Sequence, residues 1–253
     1  MQKKEAATII SIANIKAACR ECTLRELCLP LGLDGADLLQ LEQLVRRRRP
    51  LKKGEYLFRH GDSLKSLFAV RRGTIKTTGL MEDGRVQVTG FYLAGELLGI
   101  DAISNDRHPC SAEAVEPTEI CEIPYHDLEA VAQQVPGLQH QLFKIMSREI
   151  LRDEQMLMML GRMTAEERLA ACLLSLAQRQ LRLGAVDGEI RLPMSRQDLG
   201  DYLGLALETV SRLFSRFQEE GLIEVHGRQV RITNVDRLRS LGGTSAGQQS
   251  QFA

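Results

Sequence analysis

The stretch Gly200-Asp201-Tyr202-Leu203-Gly204-Leu205-Ala206-Leu207-Glu208-Thr209-Val210-Ser211-Arg212-Leu213 reads as the end of one helix, a tight turn and the start of a second. Upstream, Ser195 can cap the first helix, with Asp198 in its first turn and Leu199 and Leu203 on its inner face. Gly204 stops it and Leu205-Ala206 form the turn. The second helix runs from about Leu207 to Glu220, turns Val210, Leu213, Phe214 and Phe217 inward, and ends at Gly221. Leu222-Ile223-Glu224-Val225 and Gln229-Val230-Arg231-Ile232, joined through His226-Gly227, read as a β-hairpin. This order of elements predicts a winged helix-turn-helix, whose second helix enters the major groove of duplex DNA.

The outward residues at the start of that helix are Glu208, Thr209, Ser211 and Arg212, with Arg216 one turn further. Arginine can bond guanine bidentately and glutamate can accept from a cytosine amino group, each good contact discriminating by ~1–3 kcal/mol. Arg216, Arg228 and Arg231 are better placed for phosphates. The plainer alternative, a Glu208–Arg212 surface pair, contributes only ~0.2–0.5 kcal/mol. Further upstream, Thr164-Ala165-Glu166-Glu167 is a capping box and opens the domain. The helix behind it buries Leu169, Ala170, Leu173 and Leu174, with Cys172 among them as a core residue. Gly184 to Gly188 is a loop and Ile190-Arg191-Leu192 a short strand.

Pro136 starts a long helical pattern. Gln139, Phe143, Met146, Ile150, Asp153, Leu157 and Leu160 alternate steps of four and three. A mostly apolar seam of this kind predicts a two-stranded coiled coil, hence a homodimer. The alternative is a helix buried on its own domain. Asp153 on the seam would face its symmetry mate, which costs stability and makes association conditional. A shifted register would leave it on the rim instead.

From Leu51 to about Tyr125 the character changes. Gly54, Gly61, Gly73, Gly84 and Gly95 recur roughly every ten residues. Between them lie strand-like runs at Tyr56-Leu57-Phe58, Leu67-Phe68-Ala69-Val70, Thr74-Ile75-Lys76-Thr77, Val86-Gln87-Val88-Thr89-Gly90-Phe91 and Glu119-Ile120-Cys121-Glu122-Ile123. Glu82-Asp83-Gly84 is a turn signal, and the region predicts an all-β sandwich or barrel. Asp34 or Asp37 can cap a helix through Val45, and the basic run Arg46 to Arg49 reads as its solvated end. Pro124 ends the last strand and Asp127 begins a short helix.

Three of the six cysteines, Cys19, Cys22 and Cys28, fall within ten residues with the spacing C-x2-C-x5-C. Thiolates this close can converge on zinc or an iron–sulfur cluster. Three ligands are one short of a closed site, and spacing alone does not choose among Cys110, Cys121 and Cys172. No run of about eighteen or more apolar residues is present, so no membrane span is expected. Glu5, Asn14 and Lys16 argue against an export signal. A cytoplasmic location is expected, where thiols stay reduced and read as metal-binding or redox-sensing. At 253 residues the chain has room for about two domains. The formal net charge is zero, so nucleic-acid binding must come from local charge. His60, His108, His126, His140 and His226 are scattered without a catalytic pattern, and no enzyme is expected.

The stretch from Gly200 to Leu213 closely resembles the recognition motif of the Crp/Fnr superfamily. The cysteine cluster, Lys53-Gly54-Glu55, Gly95-Glu96-Leu97 and the order of domains resemble its FNR branch, the bacterial anaerobic regulators of fumarate and nitrate reduction. The likeness covers about residues 18–240. It implies an α+β architecture: a cluster-binding segment over 1–30, a cyclic-nucleotide-binding-like β-roll sensor over 31–135, a dimerisation helix over 136–163 and a winged helix-turn-helix over 164–240. Residues 241–253 are expected to form a disordered tail. The resemblance supplies the fourth ligand, since Cys121-Glu122-Ile123-Pro124 matches the family's last strand. It thus implies one 4Fe-4S cluster per subunit on Cys19, Cys22, Cys28 and Cys121. It implies an oxygen-responsive regulator that dimerises when cluster-loaded and reads a palindrome. The Glu82-Asp83-Gly84-Arg85 turn is implied to touch RNA polymerase. Cyclic nucleotide is not expected: the Crp branch places an arginine before Ser-Ala to pair with the phosphate, and this chain has Cys110-Ser111-Ala112. Zinc held for the fold alone, or cysteine oxidation without metal, are the rival readings.

Overall fold

The structure, a computed structural model, describes residues 19–33 and 35–243. The flexible stretch expected over residues 1–18, the capping role of Asp34 and the tail beyond residue 243 lie outside the described residues. After the cysteine segment comes α1 (Gly35–Leu44), with Asp37 in its first turn. Eight strands then build two antiparallel sheets: β1 (Arg46–Arg47), β2 (Tyr56–Phe58), β3 (Ser66–Arg72), β4 (Ile75–Leu80), β5 (Val86–Tyr92), β6 (Leu97–Leu98), β7 (Ser111–Ala114) and β8 (Glu119–Pro124). Their orders are β1-β8-β3-β6 and β2-β7-β4-β5. The basic run is therefore not a helix end. Arg46 and Arg47 extend along β8, opposite Glu122 and Cys121. There the ladder with β8 satisfies their backbone groups.

Alternation along the strands decides what each sheet face covers. Phe68 and Val70 of β3 turn inward, with Ile120 of β8, to join Phe58, Ile75, Ala112 and Ala114 of the opposite sheet. Leu67, Ala69 and Ile123 point to the other face. There they meet the cysteine segment (Leu29, Leu33), α1 (Leu38, Leu41) and the helix α2 (Tyr125–Gln134) through Leu128. Strands β1, β6 and β7 are too short or too mixed in polarity to show in the sequence.

Pro136 does open the long helix, α3 (Pro136–Arg162), with proline in its first turn. The Thr164 capping box forms and starts α4 (Ala165–Arg182). Then follow β9 (Glu189–Arg191), α5 (Arg196–Leu203), α6 (Leu207–Glu219), β10 (Ile223–His226), β11 (Gln229–Ile232) and α7 (Val235–Leu241). The last helix is capped by Asn234 and takes in the first residue of the expected tail. Strands β10, β11 and β9 pair in that order as the wing. Arg168 of α4 donates to the Leu160 carbonyl at 2.8 Å, to Met163 at 3.0 Å and to Leu203 at 3.0 Å. One side chain thus fastens the end of α3 to the end of α5.

Candidate nucleic-acid interface and metal centre

Ser195 accepts from the Asp198 backbone N–H and Asp198 bonds back to the Ser195 N–H, which fixes the start of α5. Gly204 sits at φ 65°, a left-handed position that glycine takes without steric cost, and the chain turns sharply there. Val210, Leu213, Phe214 and Phe217 of α6 are buried. Their spacing leaves Glu208, Ser211, Arg212 and Arg216 exposed on the opposite face, while Thr209 is half-buried and less available than the sequence suggests. Arg212 does not pair with the Glu208 carboxylate. Its Nε donates to the Glu208 backbone carbonyl at 3.3 Å, so its remaining donors are free to reach a base edge. Arg216 is held by Glu220 at 2.8 Å and by Glu166, and Arg231 by Glu224. Both guanidinium groups are thus engaged by carboxylates of the protein.

Sequence reasoning missed Arg196. Its guanidinium lies 3.1 Å above the Phe214 ring centroid, and one nitrogen is buried without a hydrogen-bond partner among the described residues. Burial pushes its pKa down to about 10. Its place directly after the capping serine was the available signal.

The cysteine segment is a run of tight turns: Cys22 N–H donates to the Cys19 carbonyl, Arg25 to Cys22, Cys28 to Leu24 and Leu31 to Cys28. Arg20 anchors it to α1 through Glu42, at 2.7 Å from its backbone N–H and 3.1 Å from its guanidinium. Cys19, Cys28 and Cys121 belong to one apolar cluster on the outer face of the sheet. Cys121 is there because strand alternation turns it away from Ile120, which enters the inner core. Cys110 lies in that inner core, 3.3 Å from an Asp101 carboxylate oxygen, and Cys172 lies among the helices of the other domain. All six cysteines are free.

Burial, then the charges of Cys121, Glu42 and Cys22, push the Cys19 thiol up to about 12. Burial, followed by Cys121, Cys19 and Cys22, pushes Cys28 up to about 12 as well. Burial and Cys22 raise Cys121. The sulfurs of Cys22 and Cys121 thus lie close enough to Cys19 and Cys28 to oppose ionisation there. A cleft of about 300 Å³ lined by Glu21, Cys22, Thr23, Leu24, Arg71 and Glu119 opens beside Cys22. Among the described residues, no three His, Cys, Asp or Glu side chains stand in metal-binding arrangement. The donors are of the kind a soft metal takes, but they do not stand in a ligand arrangement.

On α3, Leu138 and Met159 are buried against the two domains. The opposite stripe is bare: Phe143 is 60% exposed, Ile150 59% and Leu157 72%. Asp153 is exposed beside them, Met146 is half-buried, and Leu160 is half-buried near Gly204. The seam is therefore largely uncovered by its own domains, with Met146 and Leu160 partly covered.

A β-roll followed by helices and a C-terminal helix-turn-helix defines a transcription regulator. Residues 48–135 match the cyclic nucleotide-binding domain and residues 167–241 the Crp-like helix-turn-helix domain. The chain is 47% identical to the transcriptional activator protein Anr of Pseudomonas protegens, over 92% of this chain and 96% of that one. It is 44% identical to the fumarate and nitrate reduction regulatory protein of Escherichia coli, over 89% and 90%. The structure of FixK2 from Bradyrhizobium japonicum superposes with a TM-score of 0.73 at 33% identity, over 80% of this chain and 99% of that one. The chain belongs to the Crp/Fnr family, in the branch of the fumarate and nitrate reduction and Anr regulators.

Proposed function

We propose that the protein is an oxygen-responsive global regulator that binds palindromic promoter DNA as a homodimer and activates or represses anaerobic genes. Cys19, Cys22, Cys28 and Cys121 would hold one 4Fe-4S cluster per subunit. When bound, such a group supplies an oxygen-labile redox centre. What supports the reading is that Cys19, Cys28 and Cys121 share one apolar cluster with Cys22 in the same segment, lining the cleft beside it, while Cys110 and Cys172 lie in separate cores. With pKa values near 12, Cys19 and Cys28 are protonated at neutral pH. Redox-sensing thiols are low in pKa and exposed, which describes neither Cys19 nor Cys28.

The chain's own residues do the rest. Leu29 and Leu33 bury the segment against the sheet, and Glu42 fixes it to α1. The segment would thereby report cluster occupancy to the β-roll. Phe143, Met146, Ile150, Asp153, Leu157 and Leu160 would form the dimer seam, where paired Asp153 carboxylates oppose association. Glu208, Thr209, Ser211 and Arg212 would face base edges, with Arg216 and Arg196 on phosphates. The Glu82–Arg85 turn, flanked by exposed Leu80, Met81 and Val86, would meet RNA polymerase. Among the described residues no helix is long and apolar enough to cross a membrane. The division into a segment over 1–30, a sensor over 31–135, a dimer helix over 136–163 and a reader from 164 belongs to the same reading.

Anaerobic purification tests it. A brown protein with about four irons per chain is expected. A colourless protein holding zinc, or no metal, would sink the cluster and leave the zinc-stabilised or thiol reading.

A further inference from the structure

Glu96 stands where three parts of the molecule meet. It follows Gly95, whose φ is 88° and where an added Cβ would lie 3.0 Å from the Leu27 Cβ. The cysteine-bearing segment therefore rests directly on this turn. The Glu96 carboxylate accepts from the Leu93 N–H at 2.9 Å and from Arg179 Nε of α4 at 2.8 Å. Arg152 Nη2 of α3 lies 3.6 Å from it. Arg179 also donates to the Phe91 carbonyl at the end of β5. This is the Gly95-Glu96-Leu97 turn that the sequence shares with the Crp/Fnr superfamily. Here its carboxylate already has protein partners on α3, on α4 and in its own turn.

The surroundings share the task. Val88, Phe91 and Leu93 of the β-roll are buried in one core with Leu199, Leu203 and Leu173 of the reader. Phe91 meets Tyr202 edge to face, with centroids 5.2 Å apart. Lys76 Nζ reaches Asp198 at 2.7 Å, and Arg191 reaches Glu116 at 2.7 Å. A buried ion pair adds little stability over an apolar one of the same shape, whereas it does fix geometry. In this docked arrangement Glu208, Ser211 and Arg212 remain exposed. DNA can therefore approach without undocking, and a reader already fixed against the long helix has less ordering to lose on binding.

We infer that Glu96 is a positioning residue for DNA binding: through Arg179 and Arg152 it holds the winged helix in one orientation against the long helix. The inference rests on the reading of α3 as the dimer helix. Its test uses the full-length, anaerobically purified protein and an inverted-repeat duplex selected from random DNA by the wild type. Glu96→Gln is expected to weaken binding roughly 5–150-fold, the usual range of coupling between sites. It should speed amide exchange in β5 and α5 and leave β3 and β8 as protected as before. Metal content and sedimentation should match wild type. Glu96→Asp, which keeps the charge, should recover part of the affinity. Arg179→Lys, a milder change, should give the same exchange pattern, and Glu96→Gln with Arg179→Lys should bind no worse than the weaker single variant. Unchanged or tighter binding by Glu96→Gln, additive losses, or faster exchange spread over the whole chain would overturn the inference. A wild type that never dimerises would instead fail the reading of α3, and it would show in the control before any variant is compared.

Discussion

The DNA reader and the cysteine corner are held together in different ways. In the reader, each local signal has its partner: Ser195 caps α5, Gly204 ends it, and α6 buries four apolar residues while leaving its outer face free. The corner is a string of turns over one face of a sheet, with three thiols, Cys19, Cys28 and Cys121, that burial holds against ionisation, and no ready ligand geometry among the described residues. The first is complete as a polypeptide. On the function proposed above, the second would acquire its strongest interaction only when a metal binds, because metal–thiolate bonds would supply what a short segment cannot bury. A sensor built that way could lose its input without unfolding its output.

Four measurements would break or sharpen that contrast. The largest expected effect is all-or-none. Cys121→Ser should abolish visible absorbance and bound iron, whereas Cys110→Ala, placed in the inner core, should retain both. Equal loss in the two would mean that the corner is not the site. Next is Gly200→Ala. The new Cβ would lie 2.6 Å from the Leu205 carbonyl oxygen, so the turn must move. Urea unfolding should show a loss of ~1–3 kcal/mol, with DNA binding weakened and iron content unaffected. Ser195→Ala removes one cap and should cost about 1 kcal/mol in the same assay.

The smallest effect near neutrality concerns pH. Burial alone would raise the Glu96 carboxyl, and Arg179 and Arg152 outweigh it, holding it below 4.5. For Asp198, burial again raises the value, and Lys76 and Ser195 outweigh it, holding it below 3.8. Both values are lower folded than unfolded. Their stabilisation is full above the ordinary carboxylate range and is lost as pH falls through the lowered values. Glu149, raised by burial against the opposing pull of Arg152 and Tyr92, acts in the opposite sense and takes up its proton first. Small-angle scattering should therefore report constant domain spacing from neutral pH down to about 4.5 and a wider one in stronger acid. Widening that begins near pH 6 would remove Glu96 and Asp198 from the docking contacts.

Much of the fold was legible because its signals are local. The capping residues at Thr164 and Ser195, the glycine stop at Gly204 and the helical spacing of Val210, Leu213, Phe214 and Phe217 each lie within a turn or two of what they control. The bare stripe of Phe143, Ile150 and Leu157 was legible for the same reason. Arg46 and Arg47 were misread because their partner in β8 lies some seventy residues away in the chain, and short mixed strands carry no periodicity of their own.

The sequence by itself determined the reader, the long helix and a trio of cysteines one ligand short. Tertiary structure decided the rest. Strand phase turns Cys121 outward to the cluster that holds Cys19 and Cys28 and leaves Cys110 inside. Docking brings Arg179 of α4 to Glu96, 83 residues away in the chain. Neither follows from spacing, since a one-residue change of register reverses the face of every side chain on a strand.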